Sequence, residues 1–279
     1  MTVTIIGTGL IGCSLAIRLK ETGFAKKIIG VDNNADHLKT AVELGWIDEA
    51  LPLDEAIGQS KLIVIAIPVD ATLQLLSGIL TKLDTQVLMD VGSTKGIICQ
   101  SVAGNKNRGR FAATHPMWGT EKDGPAAAEK NAFTGRVAVI CEKDKTDSDA
   151  LQLVEQLYQK IGMQLVYMDS DVHDIHAAYV SHISHIASYA LSLTVLEKEK
   201  EEDAIFELAS GGFESTVRLA KSHAAMWAPI FMQNKENVLD VLNEHISQLR
   251  KFKASIEKEN MDFLIELIEN ANKIKRILK

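Results

Sequence analysis

Two polar segments of the sequence carry side chains that could move a proton at the edge of a sheet. His115 lies in "ATHPMWGTEKDG" and Ser93 in "MDVGSTKG", each just after an apolar run that is typical of a strand. A histidine can accept a proton near neutral pH. Isolated histidines are more often structural, and Ser93 could simply cap the next helix. Their position at the carboxyl ends of strands, where ligands bind in open α/β sheets, favours a functional site.

The spacing of three glycines near the start of the chain predicts a nucleotide site. Gly7, Gly9 and Gly12 form G-x-G-x-x-G between a predicted strand and a predicted helix, and Asp32 ends the second strand. The three glycines serve the tight turn, the approach of the backbone to a diphosphate, and the close packing of helix on strand. The helix N-terminus favours the charge of the diphosphate. Asp32 would bind the ribose hydroxyls and repel a 2′-phosphate, so NAD is expected rather than NADP.

A second group of polar residues lies in the C-terminal part of the chain. His182 and His185 are three residues apart in "SHISH", and His173 and His176 repeat that spacing. A metal is one reading of this cluster. No metal is expected, because neither cysteine nor a suitable carboxylate set accompanies the histidines, and hydride transfer to a nicotinamide needs no metal. Arg218, in "GGFESTVRLAKS", could bind a carboxylate through two parallel hydrogen bonds or form an ordinary ion pair.

These side chains need a sheet and helices to bring them together. Up to Met168, strand-like runs such as "VTIIG", "KLIVIAIP" and "RVAVICE" alternate with amphipathic stretches. Runs rich in β-branched residues are typical of strands covered on both faces. The alternation predicts an α/β Rossmann domain over residues 1–169, with a doubly wound and mostly parallel sheet.

From residue 170 onward the pattern predicts long helices. "NVLDVLNEHISQLRKFKASIEKE" places apolar residues at three- and four-residue spacing on one face. We expect an all-α domain over residues 170–279. Such an elongated domain leaves apolar faces uncovered, so a homodimer formed through it is expected. Alternatively, these faces close on themselves or on the first domain.

Composition and charge limit the class of protein. The 279 residues are 46% hydrophobic and 24% charged, as in a soluble globular protein, with a net charge of −7 that disfavours nucleic acid as a partner. No apolar run is long enough to span a membrane, and no secretion signal is evident. The three cysteines are far apart, which disfavours a disulfide framework and fits a cytoplasmic location.

Taken together, the motifs identify a family. The chain resembles the prephenate/arogenate dehydrogenase (TyrA) family over essentially its full length. The resemblance rests on "GTGLIGCSLA", "DVGSTKG", "HPMWGTEKDG", "SHISH", "GGFESTVRLAKS" and "MWAPIFMQNKENV", in the family's order and spacing. The glycine motif alone is unspecific, whereas the HPM-GTEK, SHxxH and T-R-(I/L/V)-A-x-S segments together are highly specific. The T-R segment here has Val217 between Thr216 and Arg218.

The resemblance implies an activity and a set of site residues. Family members oxidise the ring carbinol of prephenate or arogenate, pass a hydride to the nicotinamide and release carbon dioxide, in tyrosine biosynthesis. His115 would accept the proton of the ring hydroxyl, and Ser93 would bridge His115, that hydroxyl and the nicotinamide. The implied substrate-binding residues are Arg218, His185, Thr120, Glu121, Lys122 and Trp227. The implied cofactor contacts are Gly7, Gly9, Leu10, Ile11, Gly12, Asp32, Pro68 and Ser93. The helix N-terminus after Ser93 could also attract a substrate carboxylate.

Several alternatives stay open. "GTEK" with His185 is more similar to prephenate-using or dual-specificity members, and an arogenate or cyclohexadienyl dehydrogenase is the alternative. No chorismate mutase segment or regulatory ACT domain is expected. More distant alternatives are a Rossmann hydroxyacid dehydrogenase or pyrroline-carboxylate reductase, with Lys221 as a weak candidate acid/base, and a non-catalytic NAD sensor.

Overall fold

The core of the protein is one sheet, formed by strands whose bounds match the apolar runs closely. The computed structural model describes residues 1–200 and 210–277. Within them the strands are β1 (Thr2–Ile6), β2 (Lys27–Val31), β3 (Glu49–Ala50), β4 (Leu62–Ile65), β5 (Val87–Asp90), β6 (Phe111–Pro116), β7 (Val137–Cys141) and β8 (Gln164–Met168). They form an eight-stranded sheet in the order β3-β2-β1-β4-β5-β6-β7-β8.

The predicted Rossmann topology is confirmed. The neighbours from β3 to β6 are all parallel, β7 runs antiparallel to β6, and β8 is parallel to β7. The inner strands are buried on both faces, and an apolar cluster covers each face of the sheet. Because β1, β2, β4, β5 and β6 point the same way, the loops after them meet at one edge.

Helices connect these strands and then continue beyond them. Their bounds are α1 (Leu10–Glu21), α2 (Ala35–Glu43), α3 (Leu53–Gln59), α4 (Val69–Thr81), α5 (Gly96–Ser101), α6 (Ser148–Lys160), α7 (Ser170–Ala177), α8 (Ile183–Glu199), α9 (Gly211–Val217), α10 (Ala224–Gln233), α11 (Lys235–Glu257) and α12 (Met261–Asn272). The predicted domain boundary falls between β8 and α7. An α/β domain followed by a helical part is therefore confirmed.

The helix after β8 contains a local change of winding. A π-helical segment, Ala178–His182, joins α7 to α8. A π turn holds more residues than an α turn, so it shifts the faces of α8 relative to α7. Such segments occur frequently at functional sites.

The chain forms two compact units, of which the first ends at Asn234 and the second begins at Lys235. The second unit contains α11 and α12. Val238 and Val241 on α11 are buried, whereas Leu249 and Ile256 on the same helix are exposed. None of the helices in the described parts of the chain combines the length and apolar character needed to cross a membrane.

Candidate active site

The glycine loop after β1 forms an open cradle at the start of α1. Gly7 has a φ of +98°, and a Cβ there would lie 2.4 Å from the Ala66 carbonyl oxygen. At Gly12 a Cβ would lie 2.0 Å from the Gly7 carbonyl oxygen, so α1 packs on β1 only without one. A Cβ at Gly9, by contrast, would meet nothing within 4 Å. The loop is thus closed towards the protein and open on the side where a diphosphate would approach.

The first turn of α1 offers unpaired N–H groups to this open side. No side chain caps the helix, and its first turn carries no acidic residue. The N–H groups of Leu10 and Ile11 therefore face the space next to Gly9 with the positive end of the helix dipole behind them. This arrangement suits a phosphate group.

Asp32 is held at the end of β2 by the same loop. Its Oδ2 atom accepts hydrogen bonds from the Thr8 N–H at 2.7 Å and the Thr8 hydroxyl at 3.0 Å, and its Oδ1 accepts from the Asn34 N–H at 2.9 Å. Each carboxylate oxygen retains accepting capacity for a ribose hydroxyl. Pro68 lies exposed just before α4, at the same edge of the sheet.

His115 belongs to a buried chain of hydrogen bonds at the end of β6. Its Nδ1 lies 2.9 Å from Nε2 of His173, whose Nδ1 lies 2.8 Å from Oδ1 of Asp174. Asp174 also accepts from the N–H groups of Lys95 and Gly96, each at 2.8 Å. An ionised carboxylate only accepts, so His173 carries its proton on Nδ1 and accepts at Nε2. His115 must then donate from Nδ1, which leaves the lone pair of its Nε2 atom free.

The surroundings of these hydrogen-bonded side chains keep Asp174 ionised and His115 neutral. Burial raises the pKa of Asp174, but the hydrogen bonds from His173, Gly96 and Lys95 together outweigh it and lower that pKa. The pKa of His115 lies well below its ordinary value, first because the ring is buried and then because of nearby His173 and Lys95. His115 is therefore a neutral imidazole at neutral pH.

A buried ion pair between Lys95 and Asp90 fixes the loop that carries Ser93 to the end of β5. Lys95 Nζ binds Asp90 Oδ2, and both side chains are fully buried. The Thr114 N–H, next to His115, donates to the other carboxylate oxygen of Asp90 at 3.2 Å. Ser93 itself is half-buried, and its hydroxyl bonds to no other residue in the described parts of the chain. The strand that ends before Ser93 is thus tied to the strand that carries His115.

The structure excludes two interpretations of this loop. Ser93 does not cap the next helix, because α5 begins at Gly96 and its N-cap residue is Lys95. The α5 N-terminus is not available to a substrate carboxylate either, because Asp174 already accepts from the Lys95 and Gly96 N–H groups. The carboxylate of Asp174 takes the place that a ligand would need.

Arg218 pairs with a carboxylate of the loop that follows His115. Its Nη1 lies 2.8 Å from Oε2 of Glu121, and the arginine side chain is 51% exposed. The backbone N–H of Glu121 and the Arg218 guanidinium lower the pKa of Glu121. In the same loop, the Thr120 hydroxyl accepts from the Lys122 N–H at 3.2 Å, and the Lys122 side chain is exposed. Such a pair at the surface contributes no more than about 1 kcal/mol, so another carboxylate can replace Glu121.

His185 and Trp227 form a stacked pair near Arg218. Their ring centroids are 3.4 Å apart at an angle of 26°, and both side chains are buried. The His185 Nδ1–H donates to the Ser181 carbonyl at 3.2 Å, which leaves Nε2 as the free nitrogen. Burial and the positive charge of Arg218 lower the pKa of His185 against the effect of that bond. The Trp227 Nε1–H is buried and has no hydrogen-bond partner among the described residues, a state that is rare in proteins.

The remaining histidines separate into structural and exposed ones. His182 is buried against Trp227 and bonds to Asn234 at 3.2 Å, and burial lowers its pKa to about 4. His176 is exposed, so it does not share a face with buried His173. In the described parts of the chain, no three His, Cys, Asp or Glu residues are arranged to hold a metal ion.

Sequence reasoning missed two residues of this site. The sequence pattern marks His173 only by its spacing to His176, and it does not mark Asp174 as a site residue. The one available signal was the adjacent pair "HD" in the first turns of the helix after β8. That pair became informative only when the fold placed it next to His115.

The glycine cradle, the neutral histidine at the strand edge and the open neighbouring arginine together define a dehydrogenase of the Rossmann type. Two family models match the chain: "Prephenate dehydrogenase, nucleotide-binding domain" over residues 15–167 and "Prephenate dehydrogenase, dimerization domain" over residues 169–270. The chain belongs to the prephenate dehydrogenase family.

Individual relatives agree with this assignment. The chain is 31% identical to prephenate dehydrogenase of Bacillus subtilis over 97% of its own length and 74% of that protein. It is 31% identical to Aquifex aeolicus prephenate dehydrogenase, and the crystal structure of that protein in complex with hydroxyphenyl propionate and NAD+ superposes with a TM-score of 0.88, covering 99% of this chain and 97% of that chain. Synechocystis arogenate dehydrogenase is 26% identical, with a TM-score of 0.80 and full coverage of both chains.

Proposed function

We propose that the protein catalyses the oxidative decarboxylation of prephenate to 4-hydroxyphenylpyruvate with reduction of NAD. The observation that carries this proposal is the hydrogen-bond chain from Asp174 through His173 to His115. It leaves one neutral nitrogen, Nε2 of His115, ready to accept the proton of a ring hydroxyl. The family membership supplies the substrate class.

We infer that the nucleotide is NAD, as in the Aquifex aeolicus complex. The cradle fits a dinucleotide, because the space next to Gly9 is open and the α1 N-terminus is uncapped. Asp32 would bind the adenosine ribose, and its fixed negative charge disfavours the 2′-phosphate of NADP. When bound, the nicotinamide supplies the acceptor for the hydride.

Oxidation of the ring carbinol requires a base that is already deprotonated when the substrate binds. As the carbinol becomes a carbonyl, its O–H proton passes to Nε2 of His115, and the positive charge that forms on this ring is shared along the chain towards Asp174. The unbonded hydroxyl of Ser93 would orient the same substrate oxygen. Loss of carbon dioxide then leaves its electron pair in the ring, which becomes an aromatic phenolate, and the phenolate oxygen takes the proton back from Nε2 of His115.

The carboxylates of the substrate need a cation in an otherwise acidic protein. We propose that Arg218 releases Glu121 and binds the side-chain carboxylate of the substrate with two parallel hydrogen bonds. The free Nε2 of His185 would contact the same end of the substrate, and the ring of Trp227, which stacks on His185, would hold this histidine in place. Thr120 and Lys122, on the loop that carries Glu121, would line this end as well.

One observation keeps arogenate as a second candidate substrate. Arogenate has an ammonium group where prephenate has a keto group, and the Glu121 carboxylate lies beside Arg218. An acid and a base side by side would suit an amino acid end group. The Synechocystis relative bears the name arogenate dehydrogenase.

We also propose that the protein is a homodimer. The matching C-terminal family model is described as a dimerization domain. Within the second unit, several large apolar side chains are exposed, namely Leu239, Ile246, Leu249, Ile256, Phe263, Ile265 and Ile268. Exposed apolar surface of this extent is typical of an interface. Sedimentation equilibrium at micromolar concentration tests this proposal, and a monomer contradicts it.

Initial-rate measurements test the proposed reaction. NAD or NADP reduction is followed with prephenate and with arogenate, and the expected result is turnover of prephenate with NAD. His115→Asn, as a control, should lose kcat by about 10²- to 10⁴-fold while binding NAD normally. Binding of NAD without turnover of either substrate would overturn the proposal and favour a non-catalytic sensor.

A further inference from the structure

Arg218 lies at the junction of two short helices, and these helices alone do not fix the position of its side chain. Helix α9 ends at Val217, and a short 3₁₀ helix, Arg218–Lys221, follows at once. Helices of seven and four residues have little stability of their own. At such a junction the last carbonyl groups of one helix and the first N–H groups of the next lack intrahelical partners. The direction of the Arg218 side chain therefore depends on contacts from outside the junction.

One buried hydroxyl supplies these contacts on both sides of Arg218. The Ser188 hydroxyl, on α8, donates to the Thr216 carbonyl at 3.1 Å and accepts from the Ala220 N–H at 3.0 Å. Thr216 and Ala220 stand two residues before and two residues after Arg218. Ser188 is 2% exposed, so water does not substitute for its hydroxyl. The two bonds close the junction around the arginine.

The same helix carries the other side chains of this part of the site. His185 precedes Ser188 by about one turn of α8. Next to Ser188, the Tyr189 hydroxyl donates to the Ser222 carbonyl at 3.2 Å, just beyond the 3₁₀ helix. Helix α8 thus holds the Arg218 segment at three backbone points while it also carries His185, which stacks on Trp227.

We propose that Ser188 is a positioning residue that sets Arg218 against His185 and Trp227 for binding of the substrate carboxylate. It acts through the two backbone bonds and touches no substrate. The inference rests on the proposed function, because it assumes that Arg218 binds this carboxylate. Ser188→Ala removes a donor and an acceptor together, so the junction loosens while the site around His115 stays intact.

Ser192 provides a matched control on the same helix. Its hydroxyl donates to the Ser188 carbonyl at 2.9 Å, within α8, and it makes no bond to the Arg218 segment in the described part of the chain. Ser192→Ala is the same chemical change one turn further along. Any general effect of a serine-to-alanine change in α8 appears in both variants, whereas the positioning effect appears only in Ser188→Ala.

The experiment is a double-mutant cycle on the full-length protein, with Ser188→Ala, Arg218→Ala and both changes together. Initial rates give kcat and KM for prephenate and KM for NAD. Ser188→Ala is expected to raise the KM for prephenate about tenfold, which is about 1.4 kcal/mol, and to leave kcat and the KM for NAD within about twofold. In the Arg218→Ala background, Ser188→Ala should have no further effect on kcat/KM.

Each failure points to a different error. If Arg218→Ala leaves the KM for prephenate unchanged, the proposed role of Arg218 is wrong. If Arg218→Ala raises it but Ser188→Ala does not, or raises it equally without Arg218, Ser188 is not a positioning residue for Arg218. Should Ser188→Ala fail to fold, Ser188→Cys keeps the shape with a weaker donor and acceptor. Ser188→Cys is then expected to raise the KM for prephenate by a smaller factor, and only in the protein that retains Arg218. If Ser188→Cys does not raise this KM, the proposal is overturned.

Discussion

The hydrogen bond between His173 and His115 can be removed without disturbing the bond to Asp174. In His173→Asn, the side-chain amide can still donate to Asp174 from the position of Nδ1, but nothing replaces Nε2. Nδ1–H of His115 then has no acceptor at 2.9 Å, in a ring that is only 9% exposed. A buried donor without a partner costs about 1–3 kcal/mol, so the proton moves to Nε2 in most molecules. That nitrogen can no longer accept the proton of the substrate.

The size of the effect follows from this cost. One to three kcal/mol corresponds to a decrease of roughly 5- to 150-fold in the population of the active tautomer, and kcat should fall by the same factor. Steady-state rates at saturating prephenate and NAD measure it, and KM for both should stay within about twofold. His173→Gln is the matched control, because its longer amide can reach the position of Nε2 and accept from His115. A kcat for His173→Asn close to that of the unchanged protein would refute the reasoning.

Two further predictions follow from the geometry of the site. Asp32→Asn keeps an oxygen for Thr8 but removes the charge, so the ratio of kcat/KM for NAD to that for NADP should fall about tenfold, and an unchanged ratio would contradict the role of Asp32. Because the pKa of His115 lies well below the ordinary 6.5, its inactivating protonation occurs only at lower pH. The pH profile of kcat/KM should therefore be flat from pH 8 to 6.5 and fall only below that range, whereas a midpoint at or above 6.5 would show that a different group limits the reaction.

Much of the fold could be predicted from local patterns in the sequence. The inner strands, such as β4 and β5, are buried on both faces, so their apolar runs mark them directly. The glycine spacing likewise encodes a local geometry, since Gly7 and Gly12 each meet backbone that lies nearby. The two-residue strand β3 and the reversed direction of β7 leave no such pattern, because they depend on pairing between distant segments.

The site was only partly predictable, for the same reason. Asp174 meets the α5 N-terminus across 78 and 79 residues of sequence, and Glu121 meets Arg218 across 97. No local spacing reports contacts of this kind. Spacing within a helix does not report burial either, since His173 is buried and His176, three residues later in α7, is exposed. The resemblance to a family singles out His115 and Arg218 as candidates, but not the residues that hold them.

Asp174 has a consequence for how the protein gains activity as it folds. The Asp174 carboxylate, which through His173 orients the proposed base His115, also accepts from the first N–H groups of α5. It belongs to a helix that is synthesised after the whole sheet. A nascent chain with a complete sheet would still lack a correctly oriented His115. If His115 is the base, as proposed, recovery of turnover during refolding should lag behind recovery of nucleotide binding, since only the docking of α7 orients this histidine.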